Sequence, residues 1–372
     1  MITITEVKNS KDLKTFIDFP HELYKYDPNY VPALYLAEKD LLTKHPFHQH
    51  SKMVLFLAYD KEKVVGRIAA ILNNNYNNYH KVSAGFFGFF ESIDDLEVAG
   101  TLLDTAEKWL KTQNATSIIG PVCPSTNEVC GYLVEGRNEP PVVMMAYNHL
   151  YYNDLFFDLG FEKNTDLLAY VIDVSNFKDK SVKLLGKLTE RLSTRGITIR
   201  KVSLKNFDSE IANCMTVYNE AWNENLGFVP MTDAEFAQMA KEAKMVMDTD
   251  FCLVAEHQGK IVGFTLCIPD INQIQKNMKR GRLFPFGIFK LLLGKSSIKK
   301  LRVLALGVTE DYRKLGIEAV LYGTLLQNAV KKQIVEAEAS WILENNEMMN
   351  RALENIGGEV YKRYRIVEKK IV

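Results

Sequence analysis

Paired cysteines, a histidine-rich centre, an excess of either charge and any long apolar run are all missing from this sequence of 372 residues. The five cysteines (Cys123, Cys130, Cys214, Cys252 and Cys267) are odd in number and scattered through mostly apolar, strand-like runs. That pattern argues for reduced thiols in a cytoplasmic protein rather than a disulfide framework. No two of them have zinc-ligand spacing with partners nearby, so no metal is expected. The single histidine cluster is KHPFHQHSK, with His45, His48 and His50, and a polar loop ahead of a strand accounts for it. Basic and acidic residues number 46 each, so no global field recruits nucleic acid or an anionic membrane surface. The opening MITITEVKNS lacks the apolar core of a signal peptide, and no run is long enough to span a bilayer.

What is present is a soluble globular composition, 47% apolar and 25% charged, over a length that favours two domains. The pattern predicts a strand at ITITEV, a helix over Lys11–Tyr26, a hairpin (MVLFLAYD and VVGRIAAILN) and a strand VSAGFFGFFE. A helix follows over Asp95–Thr112, with Leu96, Ala99, Leu102, Leu103, Ala106, Trp109 and Leu110 on one face. Strands SIIGPV, VVMMAY and LLAYVIDV, with a helix around Tyr151–Leu159, complete the half. From Lys178 the order repeats: helix, strand ITIRKV, two helices, the hairpin FCLVAEH/IVGFTLCI, strand LRVLALGV, the helix from Ile317 to Lys331, strand VEAEASWIL, a helix over Glu347–Ile356, and VYKRYRIVEK. The hairpins VLFLAYDKEKVVGRIAAIL and CLVAEHQGKIVGFTLCI echo one another, each with a Lys-x-Val-Gly turn exit. An internal duplication follows, with halves 1–176 and 177–372.

The stretch TEDYRKLGIEAVLY, Thr309–Tyr322, places Arg-x-x-Gly between a strand and a helix. First-turn amides have no intrahelical partner and the helix dipole adds positive charge there. Gly316 admits a phosphate close to the backbone and Arg313 supplies a cation. From Ile197 to Val372 the element order and this loop resemble the Gcn5-related N-acetyltransferase superfamily, whose loop reads Gln/Arg-x-x-Gly-x-Gly/Ala. Arg313, Lys314, Leu315, Gly316 and Ile317 match; Glu318 departs at the sixth place and Ala319 follows. The resemblance implies an α/β (α+β) fold of two acyltransferase-type domains, each a mixed, mostly antiparallel sheet flanked by helices. It also implies acetyl-CoA or another acyl-CoA as cosubstrate, its pyrophosphate on the amides of Arg313–Ala319 and its pantetheine along Leu306, Gly307 and Val308. In the first half the matching place holds Glu91, Asp94, Asp95 and Glu97 with no early glycine, which implies a half without CoA binding.

The same resemblance places Asn346, Met349, Leu353 and Gly357 on an Asn-x-x-Ala-x-x-x-Tyr-x-x-x-Gly pattern, so Leu353 stands where a proton-donating tyrosine is expected. Asn346 is a candidate for catalysis and for holding the cosubstrate, and Asp270 and Asn272, in IPDINQ past the second hairpin, are further candidate catalytic groups, with an Asp-x-Asn turn as the alternative for these two. Trp222, Asn225, Phe228 and Thr232 are candidate linings of an acceptor cleft. The run Lys276–Lys300 is basic and apolar with no acid; a helix buried through Phe286, Phe289, Leu292 and Leu293 is the expectation, with an acyl chain, a membrane surface or an anionic acceptor as alternatives. The reading is an acyl-CoA-dependent N-acyltransferase, acetylating a small-molecule or peptide amine, with no specific nucleic-acid partner. A non-catalytic CoA-binding protein and a Fem-like aminoacyltransferase are the alternatives.

Overall fold

A computed structural model describes residues 1–177, 179–222 and 227–371. In chain order the first half comprises β1 (Ile2–Glu6), α1 (Ser10–Leu23), α2 (Tyr35–Thr43), β2 (Lys52–Asp60), β3 (Lys63–Leu72), α3 (Asn74–His80), β4 (Ala84–Ser92), α4 (Leu96–Thr112), β5 (Ser117–Gly120), β6 (Val122–Cys123), β7 (Val129–Cys130), β8 (Tyr132–Glu135), α5 (Tyr152–Asp158) and β9 (Glu162–Asp173). The second half comprises α6 (Asp179–Ser193), β10 (Ile197–Lys201), α7 (Phe207–Trp222), α8 (Asp233–Val246), β11 (Cys252–His257), β12 (Lys260–Pro269), α9 (Asn272–Gln275), α10 (Gly287–Gly294), β13 (Lys300–Val308), α11 (Ile317–Lys331), β14 (Glu336–Leu343), α12 (Glu347–Asn355) and β15 (Gly358–Lys370).

Among the described residues one sheet runs β1-β2-β3-β4-β5-β15-β9-β14-β13-β12-β11-β10, with β8 beside β15 and β6–β7 apart. Its pairs are antiparallel except β4 with β5 and β13 with β14. The halves exchange their last strands: β9 lies between β15 and β14, and β15 reaches across to β5. Neither half closes its sheet alone, which ties the two into one hydrogen-bonded body.

Helices cover both faces. In the first half α4 packs Val98, Leu102 and Leu110 against Phe87 and Phe90, while α1 lays Phe16 and Ile17 on the opposite face with Leu57 and Ile71. In the second half α6 and α11 bury Leu185, Leu192, Val320 and Leu321 on one face, and α7 buries Cys214 and Val217 on the other. Asp95 caps α4 by accepting from the amides of Glu97 and Val98, the ordinary function of an acid at a helix start.

Two expectations are overturned. VVMMAY is not a strand: the Val143 amide donates to Asp270 and its carbonyl accepts from Arg302, so side chains of the second half take the groups a ladder would need. The side chains of Phe286, Phe289, Leu292 and Leu293 are exposed rather than buried.

Candidate active site

Between β13 and α11 the chain turns through Lys314 (φ 66°) and Gly316 (φ 93°), both left-handed. These turns direct the backbone amides outward. The amides from Lys314 to Ala319 find no acceptor among the described residues; Val320 is the first to bond back, to the Gly316 carbonyl at 3.2 Å. Successive unaccepted N–H groups at a helix start form an anion-binding concavity. Arg313 is exposed beside it, its Nε 3.4 Å from the Val308 carbonyl. Glu318 is half-buried in the first turn and makes no hydrogen bond or ion pair among the described residues.

The cradle stands at the mouth of a gap in the sheet. β13 and β14 run in parallel register from Lys300/Glu336 to Val303/Ala339. Beyond that point β13 stays with β12 as far as Val308/Gly263, whereas β14 follows β9 to Leu343/Leu167. Leu304, Ala305 and Leu306 on one side and Trp341, Ile342 and Leu343 on the other are therefore only half-buried in mid-sheet. Leu306, Gly307 and Val308 pair with β12 through one edge and present the other to the gap. An apolar slot with a free strand edge suits an extended chain carrying amides.

Polar groups converge where the strands separate. Arg302 is fully buried, donates through Nη1 to the Val143 carbonyl at 2.8 Å and lies 4.7 Å from the Trp341 ring. Glu338, its register partner, accepts from Ser340 Oγ at 2.7 Å and from the Tyr361 hydroxyl. Arg302 Nε, Trp341 Nε1, Tyr364 Oη and, from α11, Tyr322 Oη are buried without a partner. Buried donors in a native protein are almost always satisfied, so the orphaned Arg302 Nε and Trp341 Nε1, one on each strand bordering the slot, indicate a place for a polar ligand. Burial holds the Tyr322 phenol above its ordinary pKa and therefore protonated. Sequence reasoning missed this cluster. The available signal was charge within apolar strands, Arg302 alone in LRVLALGV and Glu338 beside Glu336 in VEAEASWIL.

No family model matches the chain. It is 35% identical to YghO of Escherichia coli K12 over 372 residues, covering 98% of this chain and 94% of that one. It is 31% identical to bacterial ceramide synthase of Caulobacter vibrioides over 379 residues, covering 100% and 98%. Among solved structures it superposes on a tandem GNAT protein of the clavulanic acid biosynthesis pathway with a TM-score of 0.61 at 10% identity, over 100% of this chain and 99% of that one. A GCN5-related N-acetyltransferase from Sphaerobacter thermophilus gives 0.54 at 14% identity, over 100% and 96%. The chain belongs to the family of YghO and bacterial ceramide synthase, and its fold is that of the tandem GCN5-related N-acetyltransferases.

In this tandem acetyltransferase fold the first half has the corresponding strand separation, beyond Phe86/Ile119, but fills it with its own backbone. Val122 O sits where a Cβ on Gly88 would come within 1.7 Å of it, and the Phe89 amide donates to Cys123 Sγ at 3.1 Å. Glu91 is not in a surface loop; it lies within β4, where Tyr24 and Tyr152 each donate to it at 2.7 Å.

The second half grips the first through the residues picked out as acceptor or catalytic candidates. Asp270 Oδ1 accepts from the amides of Val143 at 2.9 Å and Asn272 at 3.2 Å, and Asn272 donates to the Pro141 carbonyl at 2.9 Å. Lys362 donates to the Pro140 carbonyl at 2.7 Å. Phe228 is buried against Tyr79 and Tyr218, and His80 Nε2 lies 2.8 Å from its carbonyl. Thr232 caps α8 in a reciprocal pair with Glu235. Trp222 ends α7, its side chain outside the described atoms, and Asn225 lies outside the described residues. Asn346 caps α12 by accepting from the Met349 amide at 3.1 Å, and Leu353 is buried about two turns along. The histidine cluster is dispersed: His48 bonds the Leu41 carbonyl and His50 meets Glu235. No group of three His, Cys, Asp or Glu among the described residues is arranged to hold a metal.

Burial raises the Asp270 pKa to about 6 from 3.8. Raised in the folded state, it withdraws stability as pH climbs from about 4 to 6, and the loss is then constant. Asp270→Asn keeps the two accepted amide bonds without the charge. We expect it to match wild type near pH 4 and to exceed it by on the order of 2 kcal/mol above pH 6 in urea unfolding. A variant less stable than wild type at both ends would show the carboxylate to be essential to the clamp.

Proposed function

We propose that the protein is an acyl-CoA-dependent N-acyltransferase that joins a fatty acyl group to the primary amine of a long-chain amino alcohol. The observation carrying this is the run of unaccepted amides, Lys314–Ala319, at the mouth of an apolar slot that ends in orphaned donors. The Caulobacter relative named a ceramide synthase supports the substrate class, since a ceramide is such an amide. The cradle fits the donor's pyrophosphate, and the free edge of Leu306–Val308 fits its pantetheine. We therefore favour a long acyl group over acetyl.

In the reaction the amine nitrogen attacks the thioester carbonyl; a C–N bond forms and the C–S bond breaks. Arg302 and Trp341 offer N–H donors to the developing oxyanion. Glu338 takes the proton the amine loses, and Tyr322 protonates the departing thiolate. Asp270, engaged by two amides, serves as the clamp that holds Val143 over the Arg302 side.

Calorimetry with acetyl-CoA and palmitoyl-CoA tests the donor. One site per chain is expected, because the first half's gap is filled by Val122 and its helix start is capped by Asp95. Turnover of palmitoyl-CoA with sphinganine then tests the acceptor. Two sites per chain would refute the division of labour, and CoA binding without turnover on a broad amine panel would favour a binding protein.

A further inference from the structure

The insertion between β12 and β13 has two apolar sides. Its inner side is packed: Ile274, Met278 and Ile298 are buried together, and a Cβ on Gly287 would lie 2.3 Å from the Arg282 carbonyl. Its outer side is open. Phe284, Phe286, Phe289, Leu292 and Leu293 are exposed by 70, 73, 60, 59 and 79%. Five large apolar side chains within ten positions make an exposed patch that a soluble monomer rarely tolerates without a partner.

The patch is rimmed by uncompensated positive charge. Lys276 and Lys279 are exposed and make no ion pair among the described residues. Lys290 and Lys295 donate to the carbonyls of Asn277 at 3.1 Å and Met245 at 2.9 Å, contacts that leave their charge unneutralised. No Asp or Glu occurs from Lys276 to Lys300. Arg280 and Arg282 are different, since Glu22 and Asp18 pair with them.

We propose that this face docks the protein on an anionic lipid bilayer. Aromatic and leucine side chains enter the headgroup boundary while the lysines meet lipid phosphates, the arrangement of interfacial amphipathic segments. Each lysine near an anionic surface raises affinity about fivefold. A second copy is a poor occupant, because a two-fold contact would set these lysine rims against each other. The neutral net charge of the whole chain makes the attraction local, so it orients the protein. The insertion leaves the sheet at Pro269 and rejoins it at Lys300, next to the Arg302/Glu338 pair. Docking stands on the patch alone; the consequence that a membrane-borne amine enters beside Glu338 rests on the acyltransferase reading.

Sedimentation with phosphatidylcholine vesicles, with and without phosphatidylglycerol, tests this on the full chain. Wild type is expected to pellet with the anionic vesicles at low salt and to be released by high salt. The triple variant Phe286→Ser/Phe289→Ser/Leu293→Ser should stay in the supernatant, and Lys276→Glu/Lys279→Glu should bind more than tenfold more weakly, roughly the two-lysine contribution. Unchanged CoA binding by calorimetry shows both variants folded. Wild type remaining in the supernatant overturns the proposal, as does pelleting that the serine variant retains. A dimer in equilibrium sedimentation that the serine substitutions dissolve, without vesicle binding, would assign the face to a second copy instead.

Discussion

Gly316→Asp is expected to lower CoA affinity by more than a hundredfold. Gly316 sits at φ 93° and ψ 15° as the residue before α11. A Cβ there meets only Leu188 Cδ2, at 4.0 Å, so it points into open space rather than into the protein. The fold therefore loses only the conformational penalty of a left-handed non-glycine residue, about 1 kcal/mol. Binding loses more. The carboxylate projects into the concavity formed by the amides of Lys314–Ala319, and a charge about 4 Å from a phosphate costs roughly 4 kcal/mol per unit charge at a surface-like dielectric. Gly316→Ala separates the two effects: it keeps the backbone cost and omits the charge, so an affinity loss of about tenfold or less is expected. Glu318→Gln should move the other way and tighten binding a few-fold, more at low salt than at high. Calorimetry with CoA reads all three. Undiminished affinity in Gly316→Asp would remove the pyrophosphate from this loop.

Local patterns were legible where they depend on local chemistry. The two hairpins, the Asp95-capped helix and the Arg313–Gly316 loop are written in short-range residue choices, and each lies where the pattern puts it. What could not be read depends on long-range partners. The runs of β9 and β15 announce strands but not that each crosses into the other half, because apolar alternation specifies a face and not a neighbour. The VVMMAY run satisfies every local rule for a strand. It is not one because Asp270 and Arg302, far along the chain, occupy the Val143 peptide. The segment carrying α10 shows the same limit for helices: with apolar residues all round, periodicity cannot say which side is covered. Asp270 was visible as an acid past a strand, but its clamping of the first half needs the second chain segment in view. Lys362 is equally silent in VYKRYRIVEK, where alternating charges read as a solvated face, and yet it is fully buried on the Pro140 carbonyl.

Tyr322→Phe is expected to lower kcat by about ten- to a hundredfold, the lower range of a general acid's contribution, with KM for the acyl-CoA nearly unchanged. The argument begins with Leu353, the position where the superfamily pattern places a tyrosine. Leu353 is buried in a cluster with Leu168, Tyr170 and Ala339, and Tyr322 from α11 packs on the same cluster beside Ile342. The phenol thus reaches the strand gap from the neighbouring helix, and its oxygen is buried without an acceptor. Burial keeps it protonated across the working pH range, as a proton donor requires. A phenylalanine at 322 preserves the ring packing and removes only the hydroxyl, so unfolding should shift little. Leu353→Tyr in the Tyr322→Phe background supplies a phenol from the superfamily's usual position, and recovery of turnover there is the decisive arm, because a structural role for Tyr322 would not be restored from another helix. Glu338→Gln should lower kcat as well, because an amide cannot take the proton that the amine loses. If Tyr322→Phe leaves kcat unchanged while wild type turns over, the thiolate takes its proton from water, and Tyr322 is a packing residue.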